Sequence, residues 1–169
     1  DKLKYFKNIE KIVSTGKTLA FFDSKYSFET KNVSLLRNED KLSSKYRGLI
    51  KDNEGTTYEF ENYVYLVKEE ILKANDVLIS LYKKDKQQTD LIELKNGFFD
   101  LQNKSFVASE TKISLDKNTF DESENDPRLS GVSSRSSNDI TIIEKGVFTS
   151  CKKTDGCPPW SIESRLIKH

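Results

Sequence analysis

The feature that most limits what this chain can fold into is a two-residue alternation of large apolar side chains with charged or polar ones. Tyr26 and Phe28 alternate with Ser27 and Glu29, Tyr58 and Phe60 with Glu59 and Glu61, and Ile92 and Leu94 with Glu93 and Lys95. Successive side chains of an extended strand point to opposite faces, so each segment has one apolar and one charged face. Two sheets with their apolar faces together predict an all-β fold, an antiparallel sandwich or jelly roll. Alternation leaves open whether those faces close into a dry core or stand apart as a groove.

Composition agrees with strands. Ala occurs only at positions 20, 74 and 108, whereas Ser, Thr, Val, Ile, Phe and Tyr are plentiful. The 169 residues suffice for one domain with its own core. Lys and Arg number 28 against 27 Asp and Glu, so net charge announces no polyanionic partner and nucleic acid is not expected. No apolar run approaches the roughly 20 residues of a membrane helix, and no signal-peptide core opens the chain. There is no Met, and the chain starts on a strand-like run without turn or cap. We therefore expect a mature or excised segment with sequence missing upstream.

Catalysis is not expected. The single His is residue 169, which leaves no general base for a hydrolase triad. Glu69 with Glu70, and Glu122 with Glu124, sit in charged turn-like segments where solvation is the ordinary role, and no glycine loop could cradle a phosphate. No cofactor is expected.

A loose repeat runs through the middle of the chain. Asn32, Asn62 and Asn96 each open a strand, a short charged turn and a second strand, ending near Ser44, Ala74 and Ala108. Further strands are expected between these units at 58–60, 77–82 and 91–94. Such spacing fits short antiparallel strands stacked rung by rung. Residues 112–138 interrupt the pattern with an acidic run at 121–126, Pro127 and a Ser/Gly-rich stretch, and read as a long surface loop.

The C-terminal stretch carries both cysteines. Val147, Phe148 and Thr149 have strand propensity, Asp155 and Gly156 turn chemistry, and Pro158 and Pro159 hold the chain extended. Ile162, Ser164 and Leu166 share one face of a following strand, with Glu163, Arg165 and Ile167 on the other, so the local reading is a β-hairpin whose loop bears Cys151 and Cys157. Zinc fails on ligand count, since no second cysteine pair and no internal His exists. Disulfide chemistry in an oxidising compartment is the better expectation.

Phe148, Thr149, Ser150 and Cys151, followed by Trp160, Ser161 and Ile162 and then by residues 166–169, resemble the junction between the periplasmic domain and the barrel in the LptD (OstA, organic-solvent-tolerance) family of lipopolysaccharide-assembly outer-membrane proteins. Recognisable pattern extends from about Asp126, Pro127 and Arg128 to the end, including Arg128, Leu129, Ser130 and Gly131. The resemblance implies that residues 1–169 form one periplasmic domain, a V-shaped antiparallel β-jelly roll, with 146–169 leading towards a C-terminal β-barrel outside this chain. It also implies an apolar groove for lipopolysaccharide acyl chains, expected along Tyr26, Phe28, Val33, Leu35, Tyr58, Phe60, Ile92 and Leu94. Lipopolysaccharide would arrive from a periplasmic bridge protein of the LptA type, which pairs with an unpaired edge carrying Leu3, Tyr5, Ile9 and Ile12. The barrel would be plugged by a lipoprotein of the LptE type. Cys151 would bridge to the barrel in the whole protein. Without that barrel it is free, dimerises or pairs with Cys157, and the local Cys151–Cys157 bond is the expectation. The reading from another class is a secreted β-sandwich adhesion or scaffold module with a closed core.

Overall fold

The computed structural model describes residues 2–22, 25–103, 105–120, 125–137, 140–152, 154 and 160–168. The strands in chain order are β1 (Lys2–Phe6), β2 (Lys11–Thr15), β3 (Lys17–Phe22), β4 (Tyr26–Lys31), β5 (Ser34–Leu36), β6 (Lys41–Ser44), β7 (Gly48–Asp52) and β8 (Thr57–Phe60). They continue with β9 (Asn62–Leu66), β10 (Ile71–Lys83), β11 (Gln88–Asp100), β12 (Ser105–Ser114), β13 (Arg128–Ser137), β14 (Ile140–Thr149) and β15 (Ile162–Lys168). All 15 belong to one antiparallel sheet, so the expected all-β class holds.

The sheet forks at β10. Residues 71–75 of that strand pair with β9, and residues 78–80 pair with β8. One arm therefore runs β1-β2-β5-β6-β9 into the first part of β10, and the other runs β3-β4-β7-β8 into its second part. From β10 onwards each strand is long enough to serve both arms, with residues 96–100, 105–109, 133–137 and 140–144 continuing the first. The three hairpins opened by Asn32, Asn62 and Asn96 all lie in the first arm, and the strands expected between them lie in the second. What sequence reads as separate strands at 71–74 and 77–82 is one strand crossing from arm to arm.

A crease separates the arms, and a local slip in the alternation makes it. Buried inward residues follow one another at a spacing of three instead of two at Thr30 and Val33, Phe60 and Tyr63, Ala74 and Val77, Leu94 and Gly97, Ala108 and Thr111, and Ile143 and Gly146. Two successive residues face outwards at each step, so the strand bends while its apolar residues stay inside, which is what a β-bulge does. On alternate rungs an outward residue is left-handed: Asn32 (φ 53), Asp76 (φ 47), Glu110 (φ 48) and Lys145 (φ 49). Asn and Asp tolerate that region because a short polar side chain bonds locally, as where Asn32 Oδ1 accepts from Gly16 N at 2.8 Å. The outside of the crease is polar from rung to rung. Asn75 donates to Asn62 (2.8 Å), Asn96 to Ser109 (3.2 Å) and Ser133 to Glu144 (3.0 Å), and Lys95 pairs with Asp76 at 2.5 Å.

The inner faces of the two arms form one core. Its buried members come from the first arm (Tyr63, Leu72, Ala74, Phe99, Ala108, Ile143) and from the second (Phe28, Phe60, Val77, Ile79, Ile92, Leu94, Ile113, Leu129). Ile113 and Ile143 are 0% exposed, which one face of a single sheet reaches only when another layer covers it.

Two expectations are corrected. Of residues 112–138, read as a surface loop, 112–114 end β12, 128–129 open β13, and the Ser/Gly-rich residues 130–137 complete β13, paired on both sides by β12 and β14. Their small side chains suit close packing: an added Cβ on Gly131 would stand 2.2 Å from Ile143 Cγ2, a contact that no general Ser/Gly turn rule foresees. The excursion that remains holds a 3-10 turn at Lys117–Phe120, and residues 121–124 of the acidic run lie outside the described residues. In β15 the face of Ile162 and Ser164 continues through Ile167, opposite Ile143, and not through Leu166, because this strand also crosses the crease.

A buried charge anchors the tip of the β10–β11 hairpin. Asp90 continues the inward series of Ile92 and Leu94 and is 0% exposed. Lys83 Nζ pairs with its Oδ2, and Asp116 N donates to its Oδ1 at 3.0 Å. Removing one partner of such a pair leaves an uncompensated charge. Lys83→Met is expected to lower stability by about 2–3 kcal/mol in urea unfolding, below the range for a fully buried pair because Lys83 keeps some solvent contact. An unchanged midpoint would mean that the Asp116 N–H alone satisfies the carboxylate.

Candidate functional site

In an antiparallel sheet, residues directly opposite one another share a face, so the register can be followed across strands as rows. In the second arm one inward row reads Ala20, Phe28, Ile50 and Tyr58 across β3, β4, β7 and β8. It continues through Ile79, Ile92, Ile113, Leu129, Phe148 and Ile162 across β10 to β15 without a polar residue. In the first arm the matching row reads Tyr5, Ile12, Leu35, Leu42 and Tyr65, then Leu72, Phe99 and Phe106. That row turns to hydroxyls at Ser136 and Thr141. Ten strands at about 4.8 Å spacing make an apolar lining roughly 43 Å long between the arms.

The lining is not equally covered along its length. Ile12, Leu35, Leu42, Ile50, Tyr58 and Tyr65, on the rungs before β10, are half-buried, and Tyr5 at the edge is 53% exposed. From β10 to β13 Leu72, Ile79, Phe99, Ile92, Ile113 and Leu129 are buried. The inner faces are thus only half-buried at most row positions over the N-terminal rungs, Phe28 excepted, and fully buried from β10 to β13 apart from Phe106, with Leu42, Ile50, Tyr58 and Tyr65 packed against the core.

The junction of these regimes is aromatic. Phe28, Phe60 and Tyr63 form a triangle with ring centroids 6.2 Å apart for the Phe pair and 5.4 Å from each Phe to Tyr63. Burial pushes the phenols of Tyr58 and Tyr63 up to about 12, so both are neutral hydrogen-bond donors across the physiological range. In Tyr58 the nearby Asp52 carboxylate adds to the effect.

Each residue expected to line a groove can now be placed. Phe28, Phe60, Ile92 and Leu94 are members of the shared core and Tyr58 packs against it. Val33 is buried on the first arm, and Tyr26 and Leu35 are half-buried. Tyr26 lies beyond Phe28 on the inward face of β4, towards a smaller cleft of about 240 Å³ that it lines with Phe21, Ser27, Lys51 and Asp52. Sequence reasoning missed Leu42, Ile50, Tyr65, Leu72 and Phe99, whose strands are too short or too interrupted to show alternation alone. Tyr65 and Phe99 stand two residues beyond Tyr63 and Gly97, and Leu72 two before Ala74, so the three-residue slip at the crease is the signal that finds them. A larger cleft of about 510 Å³ beside the crease is lined by Lys17, Glu29, Lys31, Arg47 and Glu59 among others. Its Lys17 is engaged by Glu29 (2.9 Å) and its Arg47 by Glu59.

The expected edge is corrected in part. β1, with Leu3 and Tyr5, pairs with β2 on one side and has no second neighbour among the described residues. Ile9 lies in the 3-10 turn Lys7–Ile9, and Ile12 lies in β2 between Tyr5 of β1 and Leu35 of β5, so it belongs to the interior ladder. A hairpin starting at the first residues supplies its own neighbour to the second strand, which a strand-by-strand reading overlooks.

Cys151 is buried with a free thiol that faces the Trp160 carbonyl at 3.7 Å. Arg128 Nη1 donates to the Cys151 carbonyl at 2.5 Å and to Asp126 O at 3.0 Å, tying the start of the cysteine loop to β13. Phe148 packs between Phe120 (6.1 Å) and Trp160 (5.9 Å) above it. Cys157, its expected partner, lies outside the described residues. β14 and β15 pair antiparallel, as expected of a hairpin, and the turn residues Asp155, Gly156, Pro158 and Pro159 lie outside the described residues. Among the described residues no group of three or more His, Cys, Asp or Glu is placed to hold a metal ion, and no helix is long and apolar enough to cross a membrane. The sequence matches no protein-family model and no curated protein.

Proposed function

We propose that this chain is a non-enzymatic periplasmic domain that takes the acyl chains of lipopolysaccharide between its two arms and passes them to an outer-membrane β-barrel beyond residue 169. The observation that carries this reading is the pair of apolar rows on the inner faces of the arms, one running from β1 to β12 and the other from β3 to β15, both only half-buried at most positions before β10. Leu35, Leu42 and Tyr65 keep some solvent contact, as the rim of such a groove would. The two arms meeting at a crease also suit the V-shaped jelly roll of the LptD family that the C-terminal stretch resembles. In this reading β1 is the edge that accepts the last strand of an LptA-type bridge protein, an LptE-type lipoprotein plugs the barrel, and Cys151 serves the link to that barrel.

A closed-core scaffold or adhesion module is the second reading, favoured by the complete burial of Ile113 and Ile143. Site-specific photo-crosslinking in cells separates the two. Crosslinkers at Leu42, Ile50, Tyr58 and Tyr65 are expected to capture lipopolysaccharide, whereas crosslinkers at the outward Glu59 and Glu93 are not. Capture at neither face favours the closed module, and equal capture at both faces removes the groove.

A further inference from the structure

The outer faces of the two arms differ in charge although the same long strands build both. Across β10 to β15 one outward row of the first arm reads Lys73, Phe98, Val107, Arg135, Ile142 and Lys168. Its counterpart on the second arm reads Leu78, Glu93, Lys112, Ser130, Val147 and Glu163. The first row holds three cations and no carboxylate, the second two carboxylates and one lysine. A nearly balanced net charge conceals this local excess. Phe98 and Val107 stand opposite one another on adjacent strands, 52% and 60% exposed, with Lys73 on one side and Arg135 on the other. β11 and β12 are paired on both sides, so alternation, and not fraying at an edge, puts these apolar groups outside. The Lys73 ammonium lies 5.4 Å from the centre of the Phe98 ring. Two carboxylates flank the row: Glu144 meets Arg135 loosely at 3.9 Å, and Asp100 accepts from Asn103 N at 2.9 Å and from its Nδ2 at 2.8 Å.

Exposed apolar side chains set between cations fit a surface that carries anionic groups over an apolar layer. The recurring modes of peptide binding use a groove or an unpaired strand edge. Here β11 and β12 are interior strands, and the clefts of about 240 and 510 Å³ are lined by β3, β4, β7 and β8 and their turns. An anionic bilayer surface needs neither groove nor edge. We propose that this outer face of the first arm docks on anionic phospholipid, with Lys73, Arg135 and Lys168 against headgroup phosphates and Phe98 and Val107 entering between the headgroups. The docking does not depend on what lies between the arms.

The test is co-sedimentation of the whole chain with vesicles of phosphatidylcholine, with and without phosphatidylglycerol. Binding is expected only where phosphatidylglycerol is present and should weaken as salt is raised. Lys73→Gln together with Arg135→Gln is expected to lower the partition coefficient about tenfold to thirtyfold. Phe98→Ser, which leaves the charge unchanged, is expected to lower it about fivefold to tenfold. Glu93→Gln, on β11 but on the face of the other arm, is expected to change it less than about twofold. These side chains are exposed, so the variants should melt with the wild type. Equal binding to both kinds of vesicle, or to neither, would overturn the proposal. Binding that survives the glutamine pair would place the contact elsewhere on the chain and overturn it as well. Loss through the glutamine pair with none through Phe98→Ser would leave long-range attraction without docking, which also overturns it. Self-association that the same variants abolish, in sedimentation equilibrium and without vesicle binding, would make this face a contact between copies instead.

Discussion

Phe60→Ala is expected to cost about 3–5 kcal/mol of folding stability, the range for truncating a fully buried Phe. Phe60 is 2% exposed and bridges the arms at the crease, packed against Phe28 on β4 and Tyr63 on β9. Its ring also lies over Gly48, where an added Cβ would stand 2.2 Å from Phe60 Cε2. The glycine is what lets the ring reach the backbone of β7, so nothing on that strand can fill the cavity left by Ala. Urea unfolding of the wild type and variant measures the loss, and thermal melting should drop by roughly 2–4 °C per kcal/mol for a chain of this size. Gly48→Ala supplies the control. It should destabilise the wild type by overpacking, about 1–3 kcal/mol, and do much less damage alongside Phe60→Ala. A loss below about 1 kcal/mol for Phe60→Ala would mean that the arms close over the gap and are not held rigidly at the crease.

This coupling between a glycine and a ring from the next strand marks where the sequence stops being legible. The all-β class is legible because Tyr26 and Phe28, Tyr58 and Phe60, and Ile92 and Leu94 alternate cleanly within single strands, and the inward side of each is where the structure has it. The hairpin repeat is legible through Asn32, Asn62 and Asn96, all of which stand at the crease, where short polar side chains bond across rungs or tolerate a left-handed backbone. The crease itself is hidden, because a slip from two residues to three breaks the alternation at the places where one strand becomes part of two arms. Leu94 and Gly97, or Ala108 and Thr111, look like the end of one pattern and the start of another. The same slip brings Ile167, and not Leu166, to the inner face of β15. Residues 130–137 are hidden for a different reason: Ser and Gly read as turn, and it takes β12 and β14 on either side to make a strand of them. The candidate site is half legible on the same grounds. Its residues on cleanly alternating strands are evident, while Leu42, Ile50 and Tyr65 on four- and five-residue strands become evident only when the register joins them into rows.

Ile12→Pro is expected to abolish cooperative folding or to cost about 3 kcal/mol or more, and not to act as a selective probe of partner docking. Antiparallel strands direct the N–H of each residue towards one neighbour or the other. Ile12 is opposed by Tyr5 of β1 and by Leu35 of β5, so whichever way its N–H points, a partner strand receives it. Proline removes that donor and places its ring against the adjoining strand, which a central position does not accommodate. The side chain is also part of the inward row between Tyr5 and Leu35, so the apolar face is interrupted at the same point. β1 differs: its residues are exposed throughout, it has β2 as its one neighbour among the described residues, and its Leu3, Tyr5 and Phe6 are the apolar groups at that edge. Proline at Lys4 and at Tyr5, made separately, tests both orientations of the edge, because neighbouring residues point their N–H groups to opposite sides. One of the two is expected to leave the urea midpoint within about 0.5 kcal/mol of wild type, as at a surface site, while weakening capture of an edge-pairing partner. Circular dichroism and unfolding of the three variants decide the matter. A folded, cooperative Ile12→Pro protein would show that β2 tolerates loss of a ladder bond and that the first two strands are dispensable. Equal damage from both β1 prolines would show instead that β1 is held from its outer side as well.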